Sequence, residues 1–169
     1  MEQIENKIAN SGLISIDLTD YYVSGERVEY DLKQNLFKQM ILKEKEYRAF
    51  IKQHDWTQYK GKHVALHCSV DAIVPSWAYL LLTTALMPFA KTIVYGSLEQ
   101  LEIIIYEQKI DQLNFLEFQD KRVIVKGCSD VFIPTQAYVK FITKLQPVAK
   151  SIMFGEACST VPLYKRKLN

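Results

Sequence analysis

Three cysteines, Cys68, Cys128 and Cys158, are the side chains of this 169-residue sequence best suited to chemistry, and they share a setting. Each is followed by serine (Ser69, Ser129, Ser159), and then within a few residues by a β-branched residue and proline: Val74-Pro75, Ile133-Pro134 and Val161-Pro162. A thiolate is both a nucleophile and a soft metal ligand, so matched thiols point to metal binding or to nucleophilic catalysis. Convergence on zinc would give Zn–S distances of about 2.3 Å. Asp71, Asp130 and Glu156 lie near the thiols in sequence and are candidates for a fourth ligand, with His67 as a nitrogen alternative. Cys128, Asp130 and Glu156 are the candidates for a catalytic role. Simpler readings compete: cysteine packs as a small hydrophobe, loop aspartates cap turns, and strand alternation can turn His67 away. No CxxC spacing is present. Lys126 and nearby helix N-termini would favour the thiolate form.

The elements that must position these groups follow from an internal duplication. Lys62–Gly96, shifted by 59 residues, lies without a gap on Lys121–Gly155, and 13 of the 35 pairs are identical. Unrelated segments would match at about two positions on ordinary residue usage. Each copy reads strand–loop–helix–strand: His63–His67 and Arg122–Lys126 are β-branched or aliphatic runs, and Pro75 and Pro134 stand at helix starts. Pro88 and Pro147 end the helices, and Thr92–Tyr95 and Ser151–Phe154 are second strands stopped by Gly96 and Gly155. Between the copies, Ser97 with Gln100 forms the pattern of a capping box for a helix to about Leu113.

This order predicts an α/β fold in three layers: a mostly parallel sheet built from two duplicated βαβ units, with right-handed crossovers. The expected strand order is flavodoxin-like, 2-1-3-4, with the first strands of the two copies side by side. Neighbouring strand tops about 4.8 Å apart would then gather the three thiols at one carboxyl edge. The chain reads as a single domain, 1–169, with an N-terminal extension over residues 1–60. There Leu13–Leu18 and Arg27–Leu32 alternate as a hairpin or as extra edge strands, and Met40–His54 reads as a helix.

The copies differ at the outer helix face. Gln136, Lys140, Thr143 and Lys144 of the second copy correspond to Trp77, Leu81, Thr84 and Ala85 of the first. An apolar face needs a cover, either the N-terminal extension or a homodimer through Trp77, Leu81 and Ala85.

Composition narrows the function classes. Hydrophobic residues make up 49% and charged residues 24%, which excludes a disordered or collagen-like chain. A net charge of +2 gives no reason to expect nucleic acid. No apolar run reaches about 18 residues, so no membrane span is expected. The mixed start Met1–Lys7 and the odd cysteine count suit a cytoplasmic protein with reduced thiols. GxGxxG, GxxxxGK, HExxH and GxSxG are all absent.

The blocks His67–Tyr79, Lys126–Asp130 and Gly155–Pro162, with Asn35–Arg48 and His54-Asp55-Trp56, resemble the signature blocks of a small bacterial family, domain of unknown function 2480. The resemblance implies no activity or site residue. It does imply an association with iron–sulfur cluster assembly of the sulfur-mobilisation type, and assembly proteins as partners. The leading expectation is therefore an accessory protein, not an enzyme, whose Cys68, Cys128 and Cys158 bind zinc or an iron–sulfur cluster. The alternatives are a cysteine-dependent enzyme of sulfur or acyl transfer, and a scaffold whose cysteines only pack.

Overall fold

The computed structural model describes residues 12–127 and 130–167. The chain divides into two compact units. A continuous unit comprises Ser24–Ile105, and a discontinuous unit comprises Met1–Val23 with Tyr106–Asn169.

In the continuous unit, strands β2 (Arg27–Asp31), β3 (His63–His67) and β4 (Thr92–Tyr95) form a parallel sheet in that order. Helix α1 (Glu44–Gln53) precedes β3, and α2 (Ser76–Leu86) joins β3 to β4. Tyr30, Tyr47, Trp56, Val64, Leu66, Ala78, Leu82 and Leu86 form the core. β3 is buried along most of its length because it is central and covered, which explains its unbroken apolar reading.

In the discontinuous unit, β1 (Leu13–Asp17), β5 (Arg122–Lys126) and β6 (Ser151–Glu156) are parallel, and β7 (Ser159–Lys165) runs antiparallel at the edge beside β6. Helix α4 (Thr135–Leu145) joins β5 to β6. Its core gathers Leu18, Tyr106, Ile110, Phe118, Val123, Phe141, Leu145 and Ile152. Helix α3 (Leu98–Asp111) contributes residues to both units, and its start carries the expected capping box. The Ser97 N–H donates to Gln100 Oε1 at 2.8 Å, and the Gln100 N–H donates to Ser97 Oγ at 3.2 Å.

The α/β class and the two βαβ copies are as the sequence predicts, but the expected 2-1-3-4 order is not found. β3 and β5 lie in separate sheets, each paired on one side with an N-terminal strand. Leu13–Asp17 and Arg27–Asp31 do not pair with each other as a hairpin; each is the parallel edge strand of its own sheet. The shift of 59 also extends upstream. It superposes Tyr47 on Tyr106, Ile51 on Ile110, and the 3₁₀ turn Trp56–Tyr59 on Phe115–Phe118.

One helix boundary changes, and one of the two expected covers of the α2 face is found. Helix α1 starts at Glu44, because Lys38 and Gln39 adopt positive φ and Phe37 bridges to Ile41. The apolar α2 face is covered by this N-terminal helix: Tyr47 packs on Trp77 at 6.2 Å between ring centroids, and the Arg48 guanidinium lies 5.5 Å from the same ring centroid. At the C-terminal end, Tyr164 and Lys165 belong to β7 and Arg166 pairs with Asp120. Among the described residues, no helix is long and apolar enough to cross a membrane.

Candidate functional site

The carboxyl edge of each sheet is where the repeated loops begin. In the continuous unit β3 ends at His67, and Cys68 follows, half-buried, with its thiol donating to the Val70 carbonyl at 3.6 Å. The Ser69 N–H and hydroxyl donate to the two oxygens of Asp31 at 3.1 and 2.6 Å. Burial alone would raise the Asp31 pKa, but hydrogen bonds from Ser69 and Lys33 outweigh it and bring it down to about 2. Tyr79 stands edge-on to Tyr95 at 5.0 Å. Its phenol is pushed up to about 12, first by burial and then by Tyr95, Cys68 and Asp31. His67 faces Glu29 across the strands, with Nε2 3.7 Å from Oε1, too long for a hydrogen bond. Asp71 is exposed and lines a pocket of about 430 Å³ with Met40, Ile41 and Ile73.

The equivalent edge of the discontinuous unit is built differently. Lys126 closes β5 between the ends of β1 and β6, its Nζ 3.3 Å from Glu156 Oε2 and 3.9 Å from Asp17 Oδ2. Cys158 is exposed in the two-residue turn Ala157-Cys158 that links β6 to β7. The turn requires Gly155, whose φ is +114° and where an added Cβ would approach the Ser159 carbonyl within 2.7 Å. Cys68 and Cys158 are free thiols. Cys128 and Ser129 lie outside the described residues, and Asp130, just beyond them, is exposed. Tyr138, the counterpart of Tyr79, stands edge-on to Phe154 at 5.5 Å, and its hydroxyl occupies the space a Cβ on Gly127 would need. Cys68 aligns with this Gly127, and Ser69 with Cys128.

Lys126, Asp17 and Glu156 are thus brought together, and so are Asp31, Ser69 and Tyr79. Cys68 belongs to a different sheet and unit from Cys158, so adjacent strand tops in one sheet do not gather them. Among the described residues, no group of three or more His, Cys, Asp or Glu side chains is arranged to hold a metal ion. Asp17 and Asp31 are not among the candidates that residue type and spacing single out. Their signal was the shared Ile/Tyr-Asp-Leu at the end of each alternating run, where the carboxylate caps a 3₁₀ turn.

The fold and its two unequal edges define a duplicated α/β protein with a thiol-bearing carboxyl edge. The chain belongs to the family described as "Protein of unknown function (DUF2480)", whose model matches residues 2–166. No curated protein and no solved structure matches it.

Proposed function

We propose that this protein is a non-enzymatic accessory that binds a metal ion or an iron–sulfur cluster through Cys128 and Cys158, at the carboxyl edge of the β1-β5-β6-β7 sheet. The observation that carries the reading is the in-register parallel pairing of β5 with β6, in which Val125 faces Phe154. Both strands lead within two residues of their last position to a cysteine: Lys126 to Cys128, and Glu156 to Cys158. Glu156 supplies a carboxylate two residues before Cys158, held 3.3 Å from the Lys126 ammonium. A set of two thiolates and a carboxylate leaves an open position, which suits transfer to a partner better than a closed Cys₄ site. Cys68 acts apart from this set, its thiol engaged with the Val70 carbonyl.

The test is anaerobic zinc titration against a chromophoric chelator, with iron–sulfur reconstitution followed by absorbance. Cys128→Ser and Cys158→Ser each remove a ligand and should weaken zinc at least tenfold, roughly the smallest loss seen when even a ligand's hydrogen-bond partner is removed. Cys68→Ser should leave it unchanged. A chain that binds neither zinc nor a cluster, or one in which Cys68→Ser costs as much as Cys158→Ser, overturns the proposal.

A scaffold role is favoured by a separate observation. Ile73 and Phe132, equivalent in the two copies, are 94% and 62% exposed. Large apolar side chains kept exposed at the same loop position in both units suit docking of a partner.

A further inference from the structure

We infer that the amino edge of the β1-β5-β6-β7 sheet, opposite the cysteine-bearing edge, binds a small phosphorylated ligand of the nucleoside diphosphate class. A pocket of about 670 Å³ opens there, within the roughly 300–1,000 Å³ of ordinary ligand sites. Among the described residues, Lys121, Arg122, Lys150, Lys165 and Arg166 line it, against a single carboxylate, Asp120. Five cations around one concavity stand out in a chain whose net charge is only +2. Arg166 is committed to Asp120 and to the Val148 carbonyl, which neutralises the one acid and leaves the lysines in excess.

The duplicate unit shows that this excess is not inherited from the fold. Lys62 and Lys91 are the counterparts of Lys121 and Lys150. Lys62 is paired with Glu26 at 2.8 Å, and Lys91 donates to the Ser24 carbonyl at 3.0 Å. Glu26 precedes β2 at the place where Gly12 precedes β1, so the acid that pairs with Lys62 has no counterpart at that position of the discontinuous unit. His63, the counterpart of Arg122, is 1% exposed and bonded within its own unit to Thr92 and Ser24. Strand β7, absent from the continuous unit, then adds two more cations. Its pairing sets Lys165 opposite Ser151, and the Arg166 N–H donates to the Lys150 carbonyl at 2.9 Å.

The shape of the pocket selects among anions. Met153, Pro162 and Tyr164 form an apolar wall beside the cations. Inorganic phosphate would leave that wall wet, whereas a ligand with a ring and a diphosphate would cover it while meeting the lysines. Lysine acts here as a mobile point charge, suited to a diphosphate with several oxygens.

The experiment is calorimetric titration of the full chain with ADP and, separately, with inorganic pyrophosphate at low salt. ADP is expected to bind with a Kd below about 1 mM, more tightly than pyrophosphate, and to weaken as salt is raised. The double variant Lys150→Glu/Lys165→Glu, at exposed positions, should weaken ADP at least tenfold, while the matched Lys62→Glu/Lys91→Glu should not. No ADP binding below about 1 mM, or equal loss in the two double variants, overturns the site. Pyrophosphate binding as tight as ADP overturns the nucleotide class.

Discussion

The two units carry the same βαβ plan and finish its edges in opposite ways. In the continuous unit the edges are closed by internal partners: Ser69 is tied to Asp31, the Cys68 thiol to Val70, Lys62 to Glu26 and Lys91 to Ser24. In the discontinuous unit the matching positions hold Cys128, Gly127, Lys121 and Lys150, and an extra strand delivers Cys158 at one end and Lys165 and Arg166 at the other. The difference is between an edge whose polar groups are paired within the unit and one that, on the proposals above, is left to bind ligands. Partnered polar groups add stability and fix geometry; charges gathered around a pocket cost some stability and serve recognition.

The largest effect expected is in the cores. Leu82 and Phe141 are equivalent and fully buried. Phe141→Ala should cost about 3–5 kcal/mol, and Leu82→Ala about 2–5 kcal/mol. Amide hydrogen exchange should show each loss concentrated in its own unit, since the two cores are separate. Equal loosening of both units by either change would break the division.

Next in size is a change at the loop that separates the copies. Gly127→Ala places a methyl where the Tyr138 hydroxyl lies and should cost about 1–3 kcal/mol in denaturant unfolding. Cys68→Ala, at the equivalent position, removes only a half-buried thiol and should cost about 1 kcal/mol or less. Equal costs would mean the two loops are not distinct environments.

Asp31→Asn should cost about 1–2 kcal/mol near neutral pH. The Asp31 pKa is depressed to about 2 from an ordinary 3.8, so its contribution is present above pH 4 and lost as pH falls toward 2. The Asn variant should therefore flatten that part of the stability curve, and an unchanged curve would remove Asp31 as a support. The smallest effect is a slope at milder pH. Burial lowers the His63 pKa below 6.5, opposed by the Ser24 carbonyl. The unfolded chain then takes up the proton first, and the continuous unit loses stability as pH drops below 6.5. The three histidines all lie in the continuous unit and Arg122 holds this place in the other, so protection factors in the discontinuous unit should hold steady across the window.

Much of this plan was legible in residue order, and the reason is local. Helix starts at Pro75 and Pro134, strand stops at Gly96 and Gly155, and the Ser97–Gln100 box are read from residues a few positions apart. Sheet membership is not local. Alternation in Leu13–Asp17 and Arg27–Asp31 says which side chains face inward, but not that the first strand passes over the next to pair with β5. One rim for the three thiols requires β3 and β5 in one sheet, and the two strands lie in separate sheets. β7 was hidden by Pro162 and by exposure on both faces, which an edge strand tolerates. The basic pocket was hidden too, since Lys121, Lys150 and Lys165 look like ordinary surface lysines until the strands align them.

The most direct measurement of the unequal edges is an amide NMR map of the reduced chain titrated anaerobically with zinc. Shifts are expected at Lys126, Gly127 and residues 155–160, with residues 67–76 unmoved. Shifts of equal size around Cys68, or none at either edge, would contradict it.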